Sequence, residues 1–505
     1  MLWLLNEFYN CAQQQDSTGR RSYENICHER LLLMKYNTLT TVFCNDRRRI
    51  LTPLFTMNPF ISRQLIYPLQ EKLLNRPTFP YLETLEKTQW RSRADIEALQ
   101  LQKLQALLKT AKEHSPWHAE RIERSGLDLE NLSFEDFRKL PTMGKTEVQQ
   151  YGEQMVWRDV PGGCFRYTTG GSSGAPLIFN FGRARQASDA AGRIRARRWW
   201  GVNVGDPEVY LWGAPVELNK TDNIKTIRDR LLNQLVLNAF EMSPENMSVY
   251  LTAIQKFKPS CIYGYASSVA LLADYARQHK RELSLPGLKV VCTTGEPLYP
   301  EQRQLISEVF KVPVANEFGS RDIGFTAHEN SHQQLLLMSE SILLEVLDAD
   351  GNPVKAGAMG EAVMTGLCSQ AQPFIRYRTG DMIKLSQDAD KDGRGLHVIS
   401  EVVGRSTDFL IHQDGSIVHA LAAIYVLRET VGVEQFKIIQ QAVNDFEILI
   451  VANPLWQPTS LTTIAEKFKA RFGAACITHI RLVDNIPTEA SGKIRQVVSK
   501  VPPQF

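Results

Sequence analysis

Residues 166–181 read "RYTTGGSSGAPLIFNF", and their central eight positions hold three glycines and four hydroxyl side chains. Thr168, Thr169, Gly170, Gly171, Ser172, Ser173 and Gly174 can offer backbone N–H groups and hydroxyls to phosphate oxygens without side-chain obstruction. Three other templates compete for the stretch. Gly170-x-Ser172-x-Gly174 fits a hydrolase nucleophile elbow, which requires a helix directly after its serine. Here Pro176 and the alternating run "APLIFNF" read as a strand instead. Gly171 and Gly174 could close a dinucleotide fingerprint, but Thr169 stands where its first glycine belongs and no helix opens. A Walker loop needs lysine where this chain has Ala175; Gly144-Lys145-Thr146 and Gly492-Lys493 lack the glycine five residues earlier. A strand–loop–strand phosphate cradle remains, with a plain turn as its alternative.

Downstream, four segments carry chemistry in a fixed order: "TTGEPL" at 293–298, "NEFGSRDIG" at 316–324, "IRYRTGD" at 375–381 and "PTEASGKIRQV" at 487–497, with "GR" at 404–405 between the last two. With the glycine loop ahead of them, these motifs resemble the AMP-forming adenylating superfamily, in particular the phenylacetate–CoA ligases and related capsular-polysaccharide-type members. "LQKLQALLKTAKEHSPWHAERIERSGL" resembles their N-terminal helical segment, and the resemblance spans 57–505.

It implies an ATP- and Mg²⁺-dependent ligase. The carboxylate of an aryl or medium-sized acid would attack the α-phosphate of ATP, giving acyl-AMP and pyrophosphate, and the acyl group would pass to a thiol, with coenzyme A as the implied acceptor. The glycine loop would hold the β- and γ-phosphates. Asp322 would help bind Mg²⁺, although it is shorter than the family's glutamate and Arg321 replaces the usual Thr or Ser; a helix N-cap is its other reading. Phe318, followed by Gly319, would stack on adenine where the family has Tyr, or else pack in the core, and Gly295, Glu296 and Pro297 would form the opposite wall. Asp381 would accept both ribose hydroxyls. Arg378 and Arg405 would add positive charge, surface ion pairing being the alternative. Lys493 would be the catalytic lysine of a mobile C-terminal domain, pivoting near Thr407 or Asp408. Trp212, Tyr263 and Tyr265 at strand ends would line the acid pocket or pack in the core. Two rival readings stand beside the CoA ligase: an adenylating ligase with an amine or polysaccharide-pathway acceptor, and a nucleotide-binding protein without turnover. A hydrolase is the third. Relatives with a structural zinc hold it through cysteines after the acidic motif; "TAHENSH" has none, so no zinc is expected.

The elements that must position these residues follow from periodicity. From Met57 to about 150 the pattern is helical; in "SRADIEALQLQKLQALLKTAKEH", Ser92 with Asp95 predicts an N-cap and His114-Ser115-Pro116 a stop. Between 160 and 400, strand-like "EVYLWG", "SCIYGY", "LKVVCTTG" and "VPVANEFG" alternate with helical "SSVALLADYARQHK" and "PEQRQLISEVF", an α/β rhythm whose ligands bind at the carboxyl ends of strands. "DADGN" marks a hairpin turn in a strand-rich patch. The expected organisation is an N-terminal extension over 1–56, disordered or otherwise outside the catalytic fold, a large adenylate-forming domain over 57–404 and a small α+β domain over 405–505.

Composition sets the outer limits. The chain has 505 residues, too many for one ordinary core, and a formal charge of +3 argues against a nucleic-acid partner. The arginine-rich "GRARQASDAAGRIRARRWW" reads as a solvated helix face. The eight cysteines are scattered without a CxxC pair, no apolar run reaches the length of a membrane span, and a cytoplasmic protein is expected, monomer or dimer being left open. His328 and His332 in "AHENSH" read as part of a polar loop rather than as zinc ligands.

Overall fold

The computed structural model describes residues 56–168, 177–212, 222–239, 242–355, 357–405, 409–413, 417–419, 421–486 and 496–501. Residues 1–55 of the N-terminal extension, Thr169–Gly174 of the glycine loop, the pivot at Thr407 and Asp408, and Lys493 lie outside the described residues.

The expected N-terminal helix spans Arg93–His114, with the Ser92 side chain accepting the Asp95 N–H at 3.1 Å and Pro116 opening the next helix. Strands β1 (Cys164–Thr168) and β2 (Ile178–Gly182) then form an antiparallel hairpin in which Thr168 pairs with Ile178. The segment after the glycine loop is thus a strand, as its alternation indicates, and the helix that an elbow or dinucleotide fingerprint needs does not follow.

One sheet dominates the chain. β3 (Glu208–Trp212), β4 (Gln234–Asn238), β5 (Cys261–Tyr265), β6 (Val290–Thr294) and β7 (Val314–Ser320) run parallel in the order β4-β3-β5-β6-β7. The sheet continues antiparallel through β8 (Gly324–Glu329), β9 (Leu335–Leu337), β10 (Ile342–Leu347), β11 (Met359–Gly366), β12 (Tyr377–Leu385) and β13 (Val398–Arg405), in the order β7-β8-β9-β13-β12-β11-β10. The parallel half is built by crossover helices, Pro244–Phe257, Ala266–Gln278 and Pro300–Phe310, which bury Val209, Leu211, Ile262, Val291 and Val314 on one face. The "DADGN" turn is a hairpin tip, with Asp348 N–H donating to Asn352 O at 2.9 Å between β10 and β11.

The helix Arg183–Arg198 covers the other face, and here the expectation of a solvated helix face is wrong. Arg183, Arg185, Arg195 and Arg197 are buried, Arg195 with 0% of its surface exposed. Its small residues permit this: Ala191 packs on Leu82 and Leu85, and Ala196 packs on Phe325 and Met338. The charges are neutralised locally, since Arg195 meets Glu340 through two nitrogens at 2.5 and 3.1 Å while Thr88 donates to the same carboxylate at 3.0 Å.

The C-terminal part has β14 (Phe409–Ile411) paired with β15 (Ile417–His419), then a helix Leu421–Arg428, β16 (Val433–Ala442), β17 (Asp445–Ala452), a helix Thr459–Phe472, β18 (Ile477–Leu482) and β19 (Val497–Ser499). Its sheet runs β18-β17-β16-β19 and encloses a core of Ile438, Phe446, Ile448, Phe468 and Phe472. The chain is therefore α/β with an α+β C-terminal part, the expected class.

Candidate active site

Parallel strands present their carboxyl ends along one edge, and Trp212, Tyr265 and the segment Thr294–Pro297 lie there. Trp212 ends β3, Tyr265 ends β5 and Thr294 ends β6. Register then carries the row across the sheet: Tyr265 lies opposite Thr294, Thr294 opposite Glu317, and Glu317 opposite His328. Gly295, Glu296 and Pro297 follow β6 directly. The Glu296 carboxylate accepts the Ser267 N–H at 3.0 Å, so it caps the N-terminal turn of the helix Ala266–Gln278, where the positive end of the helix dipole favours a negative charge.

Phe318 and Gly319 lie in β7, with Phe318 half-buried against the core beneath the antiparallel strands. The β7–β8 turn is very tight. A Cβ on Gly319 would sit 2.6 Å from the Gly324 carbonyl oxygen, and Gly324, at φ +110°, leaves no room for one against the Asp189 carboxylate. No helix starts at Asp322, so its N-cap reading fails: turn residues lead from it straight into β8. Its carboxylate instead accepts the Tyr377 hydroxyl at 2.9 Å through Oδ2 and the Ile323 N–H at 3.2 Å through Oδ1. The acidic motif and the "YRTGD" motif are thereby joined side chain to side chain.

Arg185 fixes the same turn from above, donating to the carbonyls of Arg321 and Asp322, each at 2.6 Å. Arg321 in turn reaches the Thr168 carbonyl at 3.4 Å, at the last described residue before the glycine loop. Thr168 and the acidic turn are therefore neighbours although Thr168 and Arg321 are 153 positions apart in sequence.

Asp381 lies in β12 directly opposite Arg405 of β13, so strand register brings the two candidates side by side. Its N–H donates to the Thr379 hydroxyl at 3.1 Å. The Arg378 guanidinium grips Glu361, its Nε 2.8 Å from Oε2, and Glu361 also accepts the Gly380 N–H at 3.1 Å. Arg378 thus braces the turn that carries Asp381.

The three aromatic candidates form one cluster. Trp212 stacks on Tyr265 with centroids 4.4 Å apart and lies 5.7 Å from Tyr263. Behind them, Tyr263 donates to Glu317 Oε1 at 2.7 Å and Thr294 reaches the same oxygen at 3.3 Å. Burial opposes a charge on Glu317, yet Arg193 and Arg197 hold its carboxyl below the usual carboxylate range. Burial pushes the neighbouring Glu208 carboxyl the other way, upward, against the pull of Arg197. His328 belongs to this cluster rather than to a polar loop. It lies inside β8, fully buried, accepting from Arg197 at Nε2 (2.9 Å) while its Nδ1–H donates to the Glu329 carbonyl (2.8 Å). His332, by contrast, is a surface partner of Asp392 at 3.0 Å.

Sequence reasoning passed over Arg185, Arg193, Glu317 and Tyr377. A signal existed for the first two. Arg185, Asp189, Arg193 and Arg197 recur every four residues, one face of a helix, directly after a strand.

Comparison with known proteins gives a consistent set. Residues 410–500 match the CapK C-terminal domain family. The chain is 23% identical to the protein CapK of Staphylococcus aureus over 460 residues, covering 90% of this chain and all of that protein. It is 24% identical to a phenylacetate-coenzyme A ligase of Thermus thermophilus over 353 residues, or 66% of this chain and 74% of that enzyme. Among solved structures, a 2-hydroxyisobutyryl-CoA ligase in its postadenylation state superposes with a TM-score of 0.65 at 21% identity, over 82% of this chain and 92% of that one.

Proposed function

Because the chain is homologous to CapK and the phenylacetate–CoA ligases, in that branch of the adenylate-forming superfamily, we propose that it is an AMP-forming ligase that activates a carboxylic acid with ATP and passes the acyl group to coenzyme A. The observation that carries this reading is the hydrogen bond from Tyr377 to Asp322, which joins the acidic and "YRTGD" motifs into one site beside the base of the glycine loop. In the proposed division of roles, Thr168 and the loop Thr169–Gly174 hold the β- and γ-phosphates, Phe318 and the Gly295–Pro297 segment flank the adenine, and Asp381 takes the ribose hydroxyls. Arg405 lies beside Asp381, and Lys493 is delivered to the α-phosphate. Preorganised donors and cations of this kind stabilise charge that accumulates on phosphate oxygens in the transition state.

Asp322 fits a Mg²⁺ role. Each of its oxygens meets one neutral donor, which leaves lone pairs for a cation, and Mg²⁺ needs only one or two carboxylates besides water and phosphate oxygens. When bound, the ion would neutralise phosphate charge; Arg185 and Tyr377 keep the carboxylate in place for it. A second reading, an acceptor other than coenzyme A such as an amine or a capsular-polysaccharide-type acceptor, draws support from the CapK C-terminal domain match over 410–500.

Pyrophosphate release measured across a panel of carboxylic acids, with ATP and Mg²⁺, tests the ligase reading. Acid-dependent release is expected, and its absence for every acid would leave nucleotide binding without turnover. Repeating the active cases with coenzyme A or with amines separates the two acceptors by which one raises turnover.

A further inference from the structure

The proposed adenylation chemistry assigns no role to Arg193. Its side chain keeps 41% of its surface accessible, although the residues around it are buried: Glu317 and Tyr263 are each 6% exposed and Phe325 is 4% exposed. Arg193 is thus a partly accessible cation set against buried neighbours. It forms an ion pair with Glu317 at 3.8 Å, lies against the faces of Tyr263 (6.0 Å) and Phe325 (5.2 Å) and also attracts the Asp189 carboxyl one turn earlier, while its Nε has no hydrogen-bond partner among the described residues. Glu317 does not satisfy it. The oxygen nearest Arg193, Oε1, already accepts the Tyr263 and Thr294 hydroxyls, and the same carboxylate is shared with Arg197 at 3.9 Å. The Arg193 Nε is buried, so the terminal nitrogens of the partly exposed side chain are what can meet a carboxylate or similar oxyanion through two parallel bonds.

Position along the helix says which oxyanion. Arg185, which holds the Asp322 turn, is eight residues before Arg193 on the same helix face, a rise of about 12 Å. Arg193 thus lies well away from the metal and phosphate end, beside the aromatic cluster of Trp212, Tyr263 and Tyr265. We propose that Arg193 is the specificity-determining residue of the acid pocket and binds a second anionic group on the substrate, so that the acid activated here is a diacid whose far carboxylate meets the Arg193 guanidinium. Glu317 is its positioning residue, held in turn by Tyr263 and Thr294. This rests on the proposed ligase site, since it names the acid that site would take.

The test pairs matched acids, butyrate with glutarate and benzoate with phthalate and terephthalate. Binding is read by thermal shift, and pyrophosphate release is read in parallel, for the wild type, Arg193→Gln and Arg193→Lys. At least one diacid should bind the wild type roughly tenfold or more tightly than its monoacid, from the usual strength of charge-assisted hydrogen bonds. Arg193→Gln should erase that preference with ATP affinity unchanged, and Arg193→Lys should restore part of it. Equal binding of monoacids and diacids to the wild type, no binding of any diacid, or a diacid preference that survives in Arg193→Gln would each overturn the proposal. Diacid-selective binding that depends on Arg193 but comes without pyrophosphate release would uphold the anion site and sink the ligase reading.

Discussion

At the scale of single residues, the site is defined by carboxylates whose surroundings give them different work. Asp322 is pinned by a hydroxyl and an N–H, Glu296 caps a helix, Glu361 holds Arg378, and Asp381 is the carboxylate proposed to take the ribose hydroxyls. Replacing Asp381 with alanine would remove two charge-assisted hydrogen bonds, a loss of about 3 kcal/mol or roughly a hundredfold in ATP affinity. Circular dichroism should be unchanged, because the strand pairing of Asp381 with Arg405 is made by the backbone. Isothermal titration with ATP checks the number; an unaltered affinity would place the nucleotide elsewhere.

At the scale of elements, the arginine helix is what turns a sheet edge into a site. From Arg185 at the acidic turn to Arg197 over the Tyr263 ring, one helix face sets guanidinium groups against the sheet. Its own seat depends on the buried pair between Arg195 and Glu340, exposed 0% and 1% at their side chains. Glu340→Gln keeps the shape but leaves the arginine charge uncompensated, and removal of one partner from such a pair costs about 3–5 kcal/mol. Urea unfolding should show that loss, with the slope of the transition retained. Glu340→Gln combined with Arg195→Met should be less destabilised than Glu340→Gln alone, because no stranded charge remains.

At the scale of the whole molecule, two expectations concern pH and the division between the large sheet and the C-terminal part. Burial, reinforced by Arg121, pushes the His118 imidazole down to about 3, while its ring nitrogen lies 2.9 Å from the Pro373 carbonyl. Burial with Arg93 nearby pushes His397 down to about 4. Both folded values lie below the ordinary value of about 6.5, so between them the unfolded chain binds more protons. Stability from these groups is complete above pH ~6.5 and is lost as pH falls toward their folded values. Denaturant midpoints measured from pH 7 to 4 should decline, and more gently in His118→Gln. The second expectation concerns Lys493. If it serves adenylation alone, Lys493→Ala should abolish acyl-AMP formation yet still transfer the acyl group from supplied acyl-AMP, because its charge matters mainly in the first transition state. Thr407→Pro, which fixes φ at the proposed pivot, should show the reverse pattern. Equal loss of both half-reactions in Lys493→Ala would remove this division of labour.

Local rules were sufficient for the elements. The Ser92 cap and Pro116 stop, the alternating strand after the glycine loop, the βαβ rhythm and the "DADGN" hairpin depend on residues close in sequence, so periodicity and turn chemistry reveal them. What the sequence could not decide was the sign of burial for a charged helix. Arg195 and Arg197 read as solvated because their partners, Glu340, Glu317 and Glu208, come from other segments of the chain, and only the packed structure brings those carboxylates within reach. The same holds for His328, whose turn-rich neighbourhood suggests a loop until strand pairing places it opposite Glu317. Charges and polar rings are buried only where a partner from another part of the chain offsets the loss of water, and that pairing is a property of the tertiary structure alone.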